Sequence, residues 1–273
     1  MMPMHATRKH ITIGREDLHY MQAGSGPRLL LAFPGYGHDA QSLLLFAPEL
    51  QHMYTCLFFD MPHHGNSKWS AGSAFTKPML TETCKLLMAM HNVNTVSLLG
   101  YSMGGRVCLT IAEQLPQIVD RMTLVASDGL IPNYYYSFFI RTPVGKALFL
   151  NMLHNPAPYI RLVQWLKRRG IVSDWQYKFV QHYTGDAHTR KMLSLRWPAM
   201  GPLVPSITRV KNNIRHNNIP LNLFMGKFDR VIPASSGAKF AQGLPSAQLH
   251  ILDKGHTIIG PDTVHTIAQT LTK

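Results

Sequence analysis

The sequence predicts an α/β protein: a mostly parallel sheet flanked by helices, interrupted by a helical insert. Three observations carry that reading. Continuous apolar runs suited to strands buried on both faces, such as RLLLAF at Arg28–Phe33 and TCLFFD at residues 55–60, alternate with helical patterns. The alternation stops after Asp128 and resumes at Pro220. One strand pattern, at residues 95–99, runs directly into Gly100-Tyr101-Ser102-Met103-Gly104 and then into a helix pattern. A chain of 273 residues has room for one such core and an inserted subdomain.

Taken in order, HITI (10–13) and LHYMQ (18–22) read as an antiparallel hairpin with residues 14–17 as the turn. Gly24-Ser25-Gly26-Pro27 breaks the chain before the first buried strand, Arg28–Phe33. That strand ends in Pro34-Gly35-Tyr36-Gly37-His38-Asp39, with a short helix expected around 42–50. After the strand at 55–60 comes the loop Met61-Pro62-His63-His64-Gly65-Asn66-Ser67. An amphipathic helix then spans Lys77–His91, with Leu80, Cys84, Leu87, Met88 and His91 along one side. Beyond the Ser102 turn, RMTLVAS (121–127) is a strand ending at Asp128-Gly129. The tail repeats the alternation: a strand at 220–225, a helix near 235–244, a strand at 248–252 and a closing helix at 262–271. The domains expected are a core in two parts, 1–128 and 216–273, and a helical insert, 129–215.

Composition narrows the class. Hydrophobic residues make up 45% and charged residues 15%, as in a globular protein. No apolar run is long enough to span a bilayer, and the N-terminal MMPMHATRKH lacks the apolar stretch of a secretory leader. Cys56, Cys84 and Cys108 each lie in an apolar pattern and read as reduced core thiols, which suits a cytoplasmic protein. Of the net charge of +13, residues 129–215 carry +11: thirteen Lys and Arg against Asp174 and Asp186. A nearly neutral body with a basic insert suggests an anionic partner, either a substrate group or a membrane surface. A solvated face kept soluble by its charge is the plainer alternative.

Two loops compete for the functional reading. Residues 35–40 spell Gly-x-Gly-x-x-Ala after a strand, and Asp60 ends the next strand, an imitation of a dinucleotide fingerprint. Pro34 and the preceding hairpin count against it, and it leaves the Ser102 turn unexplained. A serine nucleophile needs a base, and the base needs an acid that fixes its tautomer. In a parallel sheet these groups belong on loops at the carboxyl ends of strands. Ser102, Asp229 and His256 occupy such loops in that chain order. His63 and His64 are rival bases at a strand end, and Asp128 is the alternative acid. Asp60 reads as a brace for its own loop. For an oxyanion, the backbone N–H of Met103 is one donor, and that of Tyr36 is the best second candidate.

FPGYG (33–37), DMPHHGNS (60–67), GYSMGG (100–105), GKFDRVIP (226–233) and KGHTI (254–258) together resemble the α/β-hydrolase superfamily, in the branch with a helical cap after the sixth strand. The resemblance implies an eight-stranded, mostly parallel sheet, with Ser102 as nucleophile, Asp229 as acid, His256 as base, and Tyr36 and Met103 as oxyanion donors. It departs from the family pattern in having Pro34-Gly35 for the usual His-Gly, and His63 for the glycine that commonly follows Pro62. A serine at the turn argues against dehalogenase and epoxide-hydrolase chemistry, where relatives use aspartate. The expected activity is a serine esterase or acyl hydrolase acting on a small apolar or anionic substrate. The alternatives are C–C hydrolysis of a dienoate-type substrate and a slow ligand-binding or signalling protein. No cofactor, metal or nucleic acid is expected, and no feature specifies an oligomeric state. The insert holds Tyr134, Tyr135, Tyr136, Phe138, Phe139, Phe149, Trp165, Trp175, Tyr177 and Trp197, suited to an apolar pocket or to internal packing. Its stretch IRLVQWLKRR (160–169) is basic and amphipathic, suited to peripheral contact with an anionic membrane or to an ordinary surface helix.

Overall fold

The computed structural model describes residues 6–272. The N-terminal leader reading falls partly on residues outside that range, and the side chains of Tyr135, Trp175 and Phe179 also lie outside the described residues. The chain folds as an α/β protein with one eight-stranded sheet. In chain order the elements begin β1 (Thr7–Ile13), β2 (Glu16–Ala23), β3 (Arg28–Phe33), a 3₁₀ turn (Ala40–Phe46), α1 (Ala47–Leu50) and β4 (Tyr54–Phe59). They continue α2 (Lys77–His91), β5 (Val96–Tyr101), α3 (Met103–Gln114) and β6 (Val119–Val125). Helices α4 (Tyr134–Arg141), α5 (Pro143–His154), α6 (Pro156–Arg168), α7 (Asp174–Thr184) and α8 (Ala187–Met200) follow without a strand. The chain closes with α9 (Ile207–His216), β7 (Leu221–Gly226), α10 (Ala234–Ala241), β8 (Ala247–Leu252) and α11 (Val264–Thr272).

Strand order is β1-β2-β4-β3-β5-β6-β7-β8. Strand β2 pairs antiparallel with β1 and β4, and every later pairing is parallel. The central strands are mostly apolar, as suits strands covered on both faces. Leu30, Phe58, Leu99, Val125 and Phe224 share one side with Ile267 and Leu271 of α11. Local chemistry sets the ends of α2: Thr76 caps it by accepting from the Met79 N–H at 3.4 Å, and Asn92 closes it in the left-handed region at φ 51°. The first hairpin turns more tightly than expected. Gly14 at φ 63° completes the turn, and Asp17 pairs with Thr12 in the ladder rather than standing in the loop.

The chain divides into two compact units, residues 1–70, 75–132 and 203–273 against residues 71–74 and 133–202. Helix α9 therefore groups with the sheet, where it packs on α3 and Asn213 donates to the Ala112 and Glu113 carbonyls at 3.0 and 3.1 Å. The second unit has its own aromatic interior. Phe149 stacks on Trp197 at 5.2 Å, and Tyr136 meets the same indole edge-on at 5.4 Å. At least these insert aromatics pack against one another.

All three cysteines are free and buried, in β4, α2 and α3. Burial pushes the Cys56 and Cys84 thiols up to about 12, and it raises Cys108 as well, with the neighbouring Cys84 adding to the effect. The folded protein is expected to show no rapid reaction with a disulfide reagent at pH 8 and to release three equivalents of thiolate on unfolding, read by absorbance.

Candidate active site

The site grows from the junction of β5 and α3. Ser102 sits at φ 51°, ψ −115°, a conformation that L-residues seldom adopt and that turns the chain sharply from strand to helix. Its neighbours must be small for the turn to close. A Cβ on Gly100 would fall 2.6 Å from the Gly105 Cα, one on Gly104 would collide with the Phe33 carbonyl oxygen, and one on Gly105 would strike the Ser127 hydroxyl. Three hydrogen bonds hold the turn: Ser102 N–H to the Val125 carbonyl at 2.9 Å, and the Asp128 and Gly105 N–H groups to the Ser102 carbonyl at 2.9 and 3.0 Å.

Two further loops reach this point. Those after β7 and β8 are tied together by Lys227 N–H to the Leu252 carbonyl at 2.8 Å and Phe228 N–H to the Lys254 carbonyl at 2.9 Å. Gly226 is required there because a Cβ would meet the Gly255 carbonyl oxygen. The pairing brings Asp229 Oδ2 to 2.7 Å from His256 Nδ1, and His256 Nε2 to 3.0 Å from Ser102 Oγ. Since a carboxylate only accepts, Nδ1 carries the hydrogen toward Asp229 and Nε2 is left as acceptor for the serine hydroxyl. The Asp229 side chain is fully buried, and its other oxygen accepts from the Val231 and Ile232 N–H groups at 2.8 and 2.9 Å. Such an arrangement can draw a proton from Ser102 while the carboxylate steadies the imidazolium that forms.

The loop after β3 lies beside the serine: a Cβ on Gly35 would stand 3.2 Å from the Ser102 Cβ and 3.1 Å from the Tyr101 ring. Tyr36 follows, its ring edge-on to His64 at 5.8 Å. Met103 is the first residue of α3, where backbone N–H groups have no partner within the helix.

The remaining candidates are engaged elsewhere. Asp128, the alternative acid, pairs with Arg106 at 3.5 Å and accepts from the Gly129 N–H at 2.7 Å. His64 Nδ1 lies 2.8 Å from the Pro62 carbonyl, and His63 takes φ 60°, a left-handed conformation that glycine adopts more readily. Asp60 is 1% exposed and its carboxylate is consumed: His19 Nδ1 at 2.7 Å, Ala40 N–H at 2.6 Å and Asn66 N–H at 2.7 Å. A carboxylate this buried and already bonded to three internal donors does not face a ribose, which counts against the dinucleotide reading. Asp60 instead links β2, the loop carrying Tyr36 and the loop after β4.

One participant was missed in the sequence. The Tyr101 hydroxyl donates to the His256 carbonyl at 3.2 Å, and its ring lies 5.8 Å from the imidazole. Burial raises the phenol above its ordinary value, and the Asp229 charge raises it further, so Tyr101 stays neutral and donating. Its place next to the serine was the available signal.

The family model described as "alpha/beta hydrolase fold" matches residues 29–262. A protein of Rhodobacter capsulatus named magnesium-chelatase 30 kDa subunit is 30% identical over 85% of this chain and 81% of its own length. Among solved structures, the 2-hydroxy-6-oxo-6-phenylhexa-2,4-dienoate hydrolase of a Rhodococcus strain superposes with a TM-score of 0.65 at 19% identity, over 99% of this chain and all of that one. A thermophilic esterase of Thermogutta terrifontis superposes at 0.62 with 17% identity, over 97% of each chain.

The turn's steric demand gives a direct expectation. Gly104→Ala should lower stability by at least about 2 kcal/mol, because the methyl meets backbone rather than a side chain able to move. Gly255→Ala, with nothing within 4 Å of the new methyl, should melt close to the parent. Thermal unfolding of the two variants checks both.

Proposed function

Because the chain belongs to the alpha/beta hydrolase fold family, we propose that it is a serine hydrolase, an esterase or acyl hydrolase for a small apolar or anionic substrate. The observation that carries the proposal is the continuous line from Ser102 Oγ through His256 to the buried Asp229, at 3.0 and 2.7 Å. Ser102 attacks the acyl carbonyl as His256 Nε2 takes its proton. The negative charge that develops on the carbonyl oxygen is met by the N–H groups of Met103 and Tyr36, the first aided by the positive end of α3. His256 then returns the proton to the leaving group. Water, activated by the same imidazole, resolves the acyl-enzyme. Asp229 acts throughout by fixing the tautomer and stabilising the imidazolium, without taking the proton itself.

C–C hydrolysis of a dienoate-type substrate is the second reading, favoured by the name of the Rhodococcus structural relative and by the basic insert, which suits a carboxylate-bearing substrate. It would use the same serine, histidine and acid. Parallel panels of p-nitrophenyl esters and ring-fission dienoates separate the two: turnover of the second panel alone would make esterase the wrong name.

A fluorophosphonate probe should label the parent at Ser102 and leave Ser102→Ala unlabelled, read by mass spectrometry of the peptide. Asp229→Asn should lower kcat about 10⁴-fold. Asp128→Asn, whose parent carboxylate faces Arg106 and lies outside the line from Ser102 through His256 to Asp229, should keep kcat within about tenfold of the parent. Tight ligand binding with turnover no better than Ser102→Ala would instead favour a slow ligand-binding or signalling role.

A further inference from the structure

Among the described residues, eight of the fourteen large apolar side chains left exposed fall between Tyr134 and Ile171. The same stretch contains no acidic residue: none occurs between Asp128 and Asp174, whereas six Lys and Arg do. Ordinary surfaces intersperse the two signs and scatter their apolar residues singly. Exposed apolar area coinciding with unopposed positive charge is a different composition.

Helix α6 shows how the two are combined. By the helical repeat, positions 158, 161, 162, 165, 168 and 169 share one face, and all six are exposed. That face carries Leu162 at 53% exposure and Trp165 at 48%, with Arg161 and Arg168 along one side and Arg169 at the C-terminal end. Gly170, at φ 71°, ends the helix, and the Ile171 N–H returns to the Leu166 carbonyl at 3.0 Å. This turn fixes Ile171, 66% exposed, at the end of α6. The arginines are available: Arg161, Arg168 and Arg169 make no ion pair with any described carboxylate, and the Arg169 guanidinium rests over the Trp165 ring at 4.8 Å. Lys167 behaves differently, being held by Asp174 at 2.8 Å and lying over Tyr177. It belongs to the α6–α7 contact and not to the outer face.

We propose that this outer face of α6, with Ile171, docks on an anionic lipid surface. Leu162, Trp165 and Ile171 enter the boundary between headgroups and acyl chains, where tryptophan is favoured. The three arginines extend their stems along the apolar surface and place their guanidinium groups among the headgroup phosphates. The inference goes beyond the proposed hydrolysis and does not depend on it.

The test is co-sedimentation of the full chain with unilamellar vesicles, either phosphatidylcholine alone or phosphatidylcholine with about a third phosphatidylglycerol. The parent should sediment with the anionic vesicles, much less with the neutral ones, and less again at high salt. The combined change Arg161→Gln, Arg168→Gln, Arg169→Gln should weaken partitioning about 100-fold, or about fivefold for each arginine near an anionic surface. The combined change Leu162→Ser, Trp165→Ser, Ile171→Ser should also weaken it, by at least about tenfold. All six positions are exposed, so circular dichroism and melting temperature should match the parent for both variants. No sedimentation with anionic vesicles, equal binding to neutral ones, or either variant binding like the parent would overturn the proposal. So would self-association without lipid that both variants abolish, which would assign the face to a second copy of the chain.

Discussion

Ser102 is held in a backbone conformation that it would not choose. At φ 51°, ψ −115° the residue stores about 1–3 kcal/mol of strain, and the structure around it exists in the form that keeps the strain in place. Gly100, Gly104 and Gly105 let β5, β3 and β6 close on the start of α3, and the Val125 carbonyl and Asp128 N–H clamp the serine from either side. The turn brings the hydroxyl to 3.0 Å from His256 Nε2 and starts α3 at the next residue, Met103. The parallel order of β3, β5, β6, β7 and β8 brings the loops bearing Gly35, Asp229 and His256 to the carboxyl edge of one sheet.

The core was legible because its signals are local. Buried parallel strands read as unbroken apolar runs, and Arg28–Phe33 and Lys77–His91 fall where their patterns predict. The glycines around Ser102 announce a turn that excludes side chains. Choosing the acid was harder, because Asp128 and Asp229 both follow strands and what separates them is not local. Arg106 is 22 residues upstream on α3, and its pairing with Asp128 depends on how helix and loop meet. Tyr101 escaped notice for the same reason, since its partner is a carbonyl 155 positions away. The place of Asp60 at a strand end points to a brace for its own loop, but its reach to His19 and Ala40 depends on the assembled sheet.

The insert was less legible in detail. Composition marked it as helical, aromatic and basic. The second compact unit takes residues 133–202 together with 71–74, and α9, inside the insert bounds of 129–215 expected from the sequence, groups with the sheet. A helix that packs on α3 through a few apolar positions and one asparagine differs little in sequence from a helix of the insert. Aromatic density was ambiguous as well. Phe149 and Trp197 stack on each other, whereas Trp165 stands on an outer face among arginines. One residue class serves two purposes, and only the fold separates them.

Ser102, His256 and Asp229 are proposed to act as one unit, with the N–H groups of Met103 and Tyr36 meeting the oxyanion. A crystal structure of the protein after reaction with an alkyl fluorophosphonate tests this most directly. Phosphorus should be bonded to Ser102 Oγ, with the phosphoryl oxygen about 2.7–3.1 Å from the backbone nitrogens of both Met103 and Tyr36. An adduct on another residue, or a phosphoryl oxygen turned away from those two nitrogens, would contradict it.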